Sequence, residues 1–197
     1  DEFHERSLDN DLALAWLRRQ SRVKILIMSA TLAPGLAQRL GPEVPWLKCQ
    51  SPLFPVAVQH QASLEPLEEQ VRSALAHSQG SGLVFLPGMA EIRSCHKAVQ
   101  IAAQRRQAEV QILHGSLESR EQDRVLQADP DSLRWILATN VAETSLTVPG
   151  VRWVIDSGLA RTPVQPPGAP LSRLETQRIS RFSAQQRCGR AGRLGPG

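Results

Sequence analysis

Three stretches of this 197-residue chain hold side chains suited to phosphate chemistry. Asp1-Glu2-Phe3-His4 sets two carboxylates side by side, with a histidine two residues on. At a strand end, adjacent carboxylates point in different directions. One can then reach a metal's water shell while the other orients an attacking water. Alone, such a pair also fits a solvated turn, and His4 fits a structural histidine. Gln186, Arg190 and Arg193 follow an i, i+4, i+7 spacing. A helix capped by Ser183, with Gln186 three residues on, puts all three on one face and Arg187 on a neighbouring one. Two guanidinium groups and an amide on one face suit a triphosphate, because the arginines neutralise charge spread over a transferring phosphoryl group. Gly189 and Gly192 interrupt that helix, each at about 1 kcal/mol relative to Ala. Such breaks point to backbone that must come close to something. The competing reading, a surface helix with solvated arginines, leaves the glycines unexplained. The third stretch, Thr139–Thr147, has five hydroxyl or amide side chains in nine residues. It can meet a phosphate backbone without reading bases, or be a capped turn.

Charge adds to this pattern. The net charge is +4, yet the segment from Gly150 onward holds eight Arg, no Lys and only two acids, Asp156 and Glu175. That segment is at +6 and the first 149 residues are at −2. A basic C-terminal quarter fits phosphate-bearing partners, and Arg in place of Lys favours forked contacts. Apolar residues at 41% and charged residues at 21% are enough for a folded core. No run of 18 apolar residues occurs, which excludes a membrane-spanning helix. The first six residues are too acidic and polar to read as a secretory signal. The three cysteines, Cys49, Cys95 and Cys188, are far apart and lack CxxC spacing. They argue against a disulfide framework or a zinc site and fit a reducing cytoplasm.

The elements that must position these residues alternate. Short Val-, Ile- and Leu-rich runs at 23–28, 56–59, 83–86, 110–113, 133–138 and 151–156 read as strands. Amphipathic stretches from Ser7 to about Arg19, and at 66–77, 90–105 and 120–128, read as helices. Ser119 and Gln122 supply a capping box for the last of these. Leu8, Leu12 and Ala15/Trp16 fall on one face of the first. Alternation of this kind predicts an α/β fold with a parallel sheet. Polar residues cluster at the strand ends, Ser29-Ala30-Thr31, Pro87-Gly88, His114-Gly115 and Thr139-Asn140. The carboxyl ends of parallel strands form one edge, where ligands bind. The Pro/Gly patch at 163–170 predicts an irregular hairpin, 161–164 against 171–176. A Pro/Gly-rich break at 41–55 predicts a domain boundary, with 1–48 in one domain, 49–55 as linker and 56–197 in a second.

In this order the segments resemble a superfamily 2 helicase of the DEAH/RNA-helicase-A group, nearest its bacterial HrpB-type branch. Asp1–His4 resembles motif II, Ser29-Ala30-Thr31 motif III and Phe85-Leu86-Pro87-Gly88 motif IV. Thr139–Thr147 resembles motif V, and Gln186-Arg187-Cys188-Gly189-Arg190-Ala191-Gly192-Arg193 motif VI. The resemblance covers essentially the whole chain. It implies RecA-like parallel sheets flanked by helices: the C-terminal tail of a first RecA-like domain and most of a second. It implies ATP and Mg²⁺ as cofactors, and single-stranded or partly duplex RNA as partner. By resemblance, Asp1 and Glu2 would hold Mg²⁺ through water, Glu2 would activate the lytic water, and His4 would link toward Gln186. Ser145 and Thr147 would sense the nucleotide, and Arg190 and Arg193 would act as arginine fingers. Gly88, Thr139 and Asn140 would touch nucleic acid. Ser29 and Thr31 would couple nucleotide state to domain movement, and the 161–176 segment would be a hairpin near the strand-separation point.

The chain departs from the family pattern in four places. Phe3 replaces the Ala of the DEAH signature. Pro149 stands where many relatives carry an acid that contacts the ribose. Leu126 stands about where an adenine-stacking aromatic often occurs. No GxxxxGK[ST] is present, since none of the 13 glycines precedes a lysine. The chain is therefore expected to be a fragment of a longer ATP-dependent helicase, and to be inactive alone for lack of a phosphate-cradling loop. Two alternatives stay open: a non-catalytic nucleic-acid-binding module, and a DNA-directed translocase. Backbone contacts by Thr, Asn and Arg do not require a 2′-hydroxyl, so DNA is not excluded.

Overall fold

The computed structural model describes the chain except residues 1, 2, 4–7, 21, 30–34, 50–53, 128, 130, 131, 144–147, 169 and 194. The chain divides into two compact units, Asp1–Ser51 and Pro52–Gly197. In the first unit lie helices α1 (Leu8–Leu17) and α2 (Leu36–Leu40). Phe3 and Leu40 are buried together there, with Leu14, Ile27 and Val44 packed against them. The apolar face expected on α1 forms, but Leu8, Leu12 and Trp16 remain exposed. The strand expected at 23–28 forms no ladder among the described residues. A strand exists only through its neighbour, and the backbone bonds this segment makes among the described residues are Phe3 N–H to the Met28 carbonyl at 3.1 Å and a local one, Val23 N–H to the Gln20 carbonyl at 3.4 Å.

The second unit runs α3 (Leu67–His77), β1 (Ser81–Phe85), α4 (Met89–Arg105), β2 (Glu109–Leu113), α5 (Ser119–Gln127), β3 (Arg134–Ala138), β4 (Val151–Asp156), β5 (Leu159–Val164), β6 (Arg173–Arg178) and α6 (Arg181–Cys188). The first four strands form a parallel sheet in the order β2-β3-β1-β4. The sequence predicts a parallel α/β sheet, and the structure has one. Strands β1 and β3 are buried along their whole length, as strands covered on both faces are. Alternate side chains go to opposite layers. Val84, Trp135 and Leu137 meet Val71 and Leu75 of α3 and Ile92, Cys95 and Val99 of α4. Leu83, Phe85, Ile136 and Ala138 meet Val125 of α5 with Val148 and Val151. Each fully buried Leu, Ile or Phe contributes roughly 1.5–3 kcal/mol. Arg106 crosses from the end of α4 and donates through Nη1 to the Leu75 and Ala76 carbonyls at 3.0 and 3.1 Å. It thereby satisfies carbonyls that the last turn of α3 leaves open.

The strand expected at 56–59 is not part of a sheet. Its segment bonds instead to the end of the chain. Phe54 N–H donates to the Gly192 carbonyl, Ala57 N–H to Gly197, and Gly197 N–H to Pro55. The α5 cap falls one residue before the expected Ser119. The Glu118 N–H donates to Glu121 Oε2 at 3.3 Å, so the glutamate three residues on reaches back to the cap. The hairpin forms as β5 against β6, antiparallel, with Arg161 opposite Thr176 and Val164 opposite Arg173. The first arm is two residues longer than expected, beginning at Leu159, and the second is shifted two residues along the chain, ending at Arg178.

Candidate nucleotide and nucleic-acid site

Because β1 to β4 run parallel, their carboxyl ends share one edge. That edge carries Leu86-Pro87-Gly88 after β1, His114 after β2, Thr139 after β3 and Ser157 after β4. Cross-strand bonds continue past the strands, from Leu86 N–H to Ala138, Thr139 N–H to Leu113 and Ser157 N–H to Phe85. The loop starts are therefore fixed by the sheet. Thr139 is buried, and the short 3₁₀ turn Asn140–Ala142 that follows leaves Asn140 exposed. The turn closes with Glu143 N–H on the Asn140 carbonyl at 2.9 Å.

Gly88 is the cap residue of α4, and its backbone is extended. A side chain there would meet Arg161 of β5, whose Nη1 lies 2.8 Å from an ideal Cβ position. Arg161 Nη2 also pairs with Glu91 Oε1 at 3.2 Å. The hairpin thus reaches back over the start of α4.

The arginine geometry differs from the sequence expectation. Ser180, not Ser183, caps α6, accepting from the Ser183 N–H at 3.0 Å. The helix therefore begins at Arg181 and ends at Cys188, with Gly189 at its C-cap. Gln186 lies in the helix, while Arg190 and Arg193 lie beyond it, so the single face holding all three does not exist. Gly192 does mark a close backbone approach: an ideal Cβ would lie 2.6 Å from the Phe54 carbonyl oxygen. Gly189 meets nothing closer than 3.4 Å.

The triplet that shares a target is Ser183, Arg187 and Arg190, and the target is Glu143. The Ser183 hydroxyl donates to Glu143 Oε1 and Arg190 Nη2 to the Glu143 carbonyl oxygen. Arg187 Nε donates to Glu143 Oε2 at 2.9 Å. Arg187 Nη1 reaches Asp156 Oδ1 at 2.8 Å and the Leu159 carbonyl at 3.3 Å. The Arg187 guanidinium sits 4.7 Å above the Phe85 ring and its side chain is 1% exposed. A buried guanidinium between two carboxylates has its charge matched where water cannot match it. Asp156 Oδ1 also accepts from Gly158 N–H at 2.9 Å, which fixes the turn into β5.

The far end of the 139–150 loop is held by Arg134. It is fully buried and donates to the Val125 and Pro149 carbonyls at 2.9 and 2.8 Å. Burial lowers its pKa, while the Glu109 and Asp129 charges oppose that shift. A cavity of about 250 Å³ opens between the Asn140 turn, the hairpin base and α6, with Glu143, Thr162, Gln177 and Ser183 among its lining residues.

The model of the helicase conserved C-terminal domain matches residues 63–195. The chain belongs to that family. It is similar to the ATP-dependent RNA helicase HrpB of Escherichia coli K12, 40% identical over 211 residues that take in all of this chain and 26% of that protein. It is also similar to the probable ATP-dependent RNA helicase DHX34 of Homo sapiens, 38% identical over 220 residues, covering all of this chain and 19% of that protein. The crystal structure of the Escherichia coli DEAH/RHA helicase HrpB matches with a TM-score of 0.84 at 38% identity, covering 100% of this chain and 27% of that one. The chain thus spans about a quarter or less of these relatives' lengths.

Within this helicase C-terminal domain, the structure brings Asn140 and Arg190 together on Glu143, with Thr139 at the start of the same turn. Gly88 lies on the same sheet edge, Gln186 is half-buried in α6, Arg190 is buried and Arg193 exposed. Ser29 is half-buried in the first unit. Asp1, Glu2, His4, Thr31, Ser145 and Thr147 lie outside the described residues. Sequence reasoning missed Glu143, Asp156 and Arg187 as partners. One signal was available: Asp156 is one of only two acids in the basic C-terminal quarter.

Proposed function

We propose that this chain is part of a cytoplasmic, ATP-dependent RNA helicase of the DEAH/RNA-helicase-A group, and that its second unit works as a helicase C-terminal domain. The observation that carries this reading is the junction at Glu143. One residue joins a polar turn, suited to a phosphodiester backbone, to an arginine suited to a nucleotide's phosphates. The Thr139 and Asn140 turn bears on nucleic acid, with Gly88 on the same edge. Arg190 and Arg193 supply donor-only, permanently charged groups, and Gln186 an amide, a set that fits a polyphosphate. ATP with Mg²⁺ supplies the phosphoryl group and the charge that this chain would stabilise. Asp1 and Glu2 are the residues the family resemblance assigns to the metal, and Ser145 and Thr147 those it assigns to sensing the nucleotide. Here the chain's own contribution is to place guanidinium charge and to hold the RNA backbone. RNA is preferred over DNA because the two relatives cited are named RNA helicases.

The test is ATP turnover by the longest protein encoded with this chain, with and without single-stranded RNA. Turnover stimulated by RNA is expected, and Arg190→Ala should lower it by roughly 10³–10⁵, the range for arginine fingers. The 197-residue chain alone should turn over no ATP. It should bind single strands weakly, without base preference and with strong salt dependence. RNA binding without any turnover by the longer protein would favour a binding module, and stimulation by DNA alone a DNA translocase.

A further inference from the structure

Glu143 is gripped at three points by the chain running through and out of α6. Ser183 and Arg187 take one carboxylate oxygen each, and Arg190 takes the carbonyl. Arg187 is a fixed post. Its remaining contacts are to Asp156 of β4 and the Phe85 ring of β1, at the sheet's edge, and to the Leu159 carbonyl at the start of the hairpin. On its other side, Glu143 closes the turn that begins at Thr139, through its N–H on the Asn140 carbonyl. A continuous path of hydrogen bonds therefore runs from Asn140 through one residue to Arg190.

We propose that Glu143 is the positioning residue of this site: it sets where Arg190 stands relative to the turn that carries Asn140. The inference rests on the helicase reading above and adds to it a residue that touches neither nucleotide nor nucleic acid. A glutamate is required because the position must accept from a hydroxyl and a guanidinium at once and balance part of the Arg187 charge. Glutamine keeps the shape but offers only one oxygen. Its NH₂ then faces Ser183 or Arg187, and against Arg187 that sets donor against donor. Aspartate is one methylene shorter and cannot reach both partners from the same backbone.

The experiment is Glu143→Gln, Arg190→Ala and the double variant in the longest protein encoded with this chain, read as RNA-stimulated ATP turnover. Positioning predicts that Glu143→Gln lowers kcat by about tenfold or more while changing KM for ATP little. It also predicts that most of this loss disappears in the Arg190→Ala background, because the residue Glu143 serves is gone. Additive losses in the double variant, or an unchanged kcat in Glu143→Gln, would overturn the proposal. Should Glu143→Gln not fold, Ser183→Ala removes one anchor of the carboxylate without unpairing a buried charge, and the same non-additivity with Arg190→Ala is expected.

A second readout separates this proposal from the helicase reading. Arg190 is 5% exposed in the 197-residue chain. Its modification by phenylglyoxal, mapped by peptide mass, should accelerate by about fivefold or more in Glu143→Gln. Acceleration in the 197-residue chain, together with no RNA-stimulated turnover by the longest protein encoded with it, would refute the helicase reading and keep the positioning role. Equal modification rates in the two chains would refute the positioning role alone.

Discussion

Arg187 at the α6 junction and Arg173 on the hairpin make the same contact, a guanidinium Nε on a glutamate oxygen. The hairpin pair is the shorter, 2.6 Å against 2.9 Å. The junction pair is nonetheless the one that matters for the fold. Arg187 is 1% exposed and Arg173 71%. Water competes for every donor of Arg173 and screens its charge, whereas Arg187 is served, among the described residues, by Glu143, Asp156 and the Leu159 carbonyl. Burial, not distance, decides what an ion pair is worth. The hairpin can therefore vary its charges with little cost to the fold, while the junction cannot.

The sharpest way to break this comparison is Arg187→Ala. It leaves Glu143 and Asp156 facing each other across a buried gap with no cation between them. The expected loss is about 3–5 kcal/mol in urea denaturation of the 197-residue chain. The spacing reading places Arg187 on a neighbouring face; its weight here lies in the fold. A loss below about 1 kcal/mol, as for an exposed pair, would show that water reaches the junction.

A neutral group extends the contrast to cysteine. Cys95 is buried on the inner face of α4 and Cys49 is exposed. Burial, with the nearby charges of Glu68 and Glu91, pushes the Cys95 thiol up to about 11 from 9.0. The folded protein thus holds this proton more tightly than the unfolded chain. The resulting stability is fully present below pH 9 and is lost as pH rises through about 11, a change of about 2–3 kcal/mol. Denaturation of the wild type and of Cys95→Ala across that range should converge toward high pH. Iodoacetamide at pH 8 should modify Cys49 first and Cys95 last.

Two glycines make the same point without charge. Gly192→Ala sets a methyl group against the Phe54 carbonyl oxygen, which the chain's own pairing holds still. The expected cost is about 1–3 kcal/mol. Gly88→Ala meets the tip of Arg161, which can swing into water, so the expected cost is below about 1 kcal/mol. Equal losses in the two variants would mean that Arg161 is as rigid as backbone.

The sheet was legible because its signals are local. A run such as Leu83–Leu86 declares a buried strand by composition alone, and alternation with helices fixes the parallel class. The loops after β1 and β3 were legible as a polar edge for the same reason. The α6 junction was less so. Gln186, Arg190 and Arg193 share a spacing with Ser183, Arg187 and Arg190, and nothing in periodicity chooses between them. The choice is made by where the helix starts. Ser180 and Ser183 are both capping residues, and the register between them decides which side chains face Glu143, some 40 residues away in sequence. The segments at 23–28 and 56–59 have strand composition, but ladder formation depends on a neighbour that composition does not reveal.

The smallest effect belongs to the hairpin, where the comparison can be refined. Arg173 lowers the Glu175 pKa chiefly through its hydrogen bond; burial opposes the shift, and the Arg173 charge and a Gln177 hydrogen bond add to the lowering. A carboxylate whose pKa is depressed on folding lends stability above its unfolded value and loses it as pH falls through the folded one. Glu175 is half-buried, but its partner Arg173 is 71% exposed and water screens the pair, so this contribution should not be resolved in denaturation. Arg173→Ala should leave the urea midpoint unchanged at every pH, while returning the Glu175 carboxyl titration, followed by NMR, toward the ordinary range. Arg161→Ala is the intermediate case, because Arg161 and Glu91 are 39% and 32% exposed and join the hairpin to α4. Its expected cost is below about 1 kcal/mol at 0.1 M salt and should vanish near 1 M, where the screening length falls to about 3 Å. A cost that survives high salt would place the Arg161 pair with the junction and not with the hairpin. The hairpin would then be a braced arm, fixed over Gly88 by a contact that water does not reach.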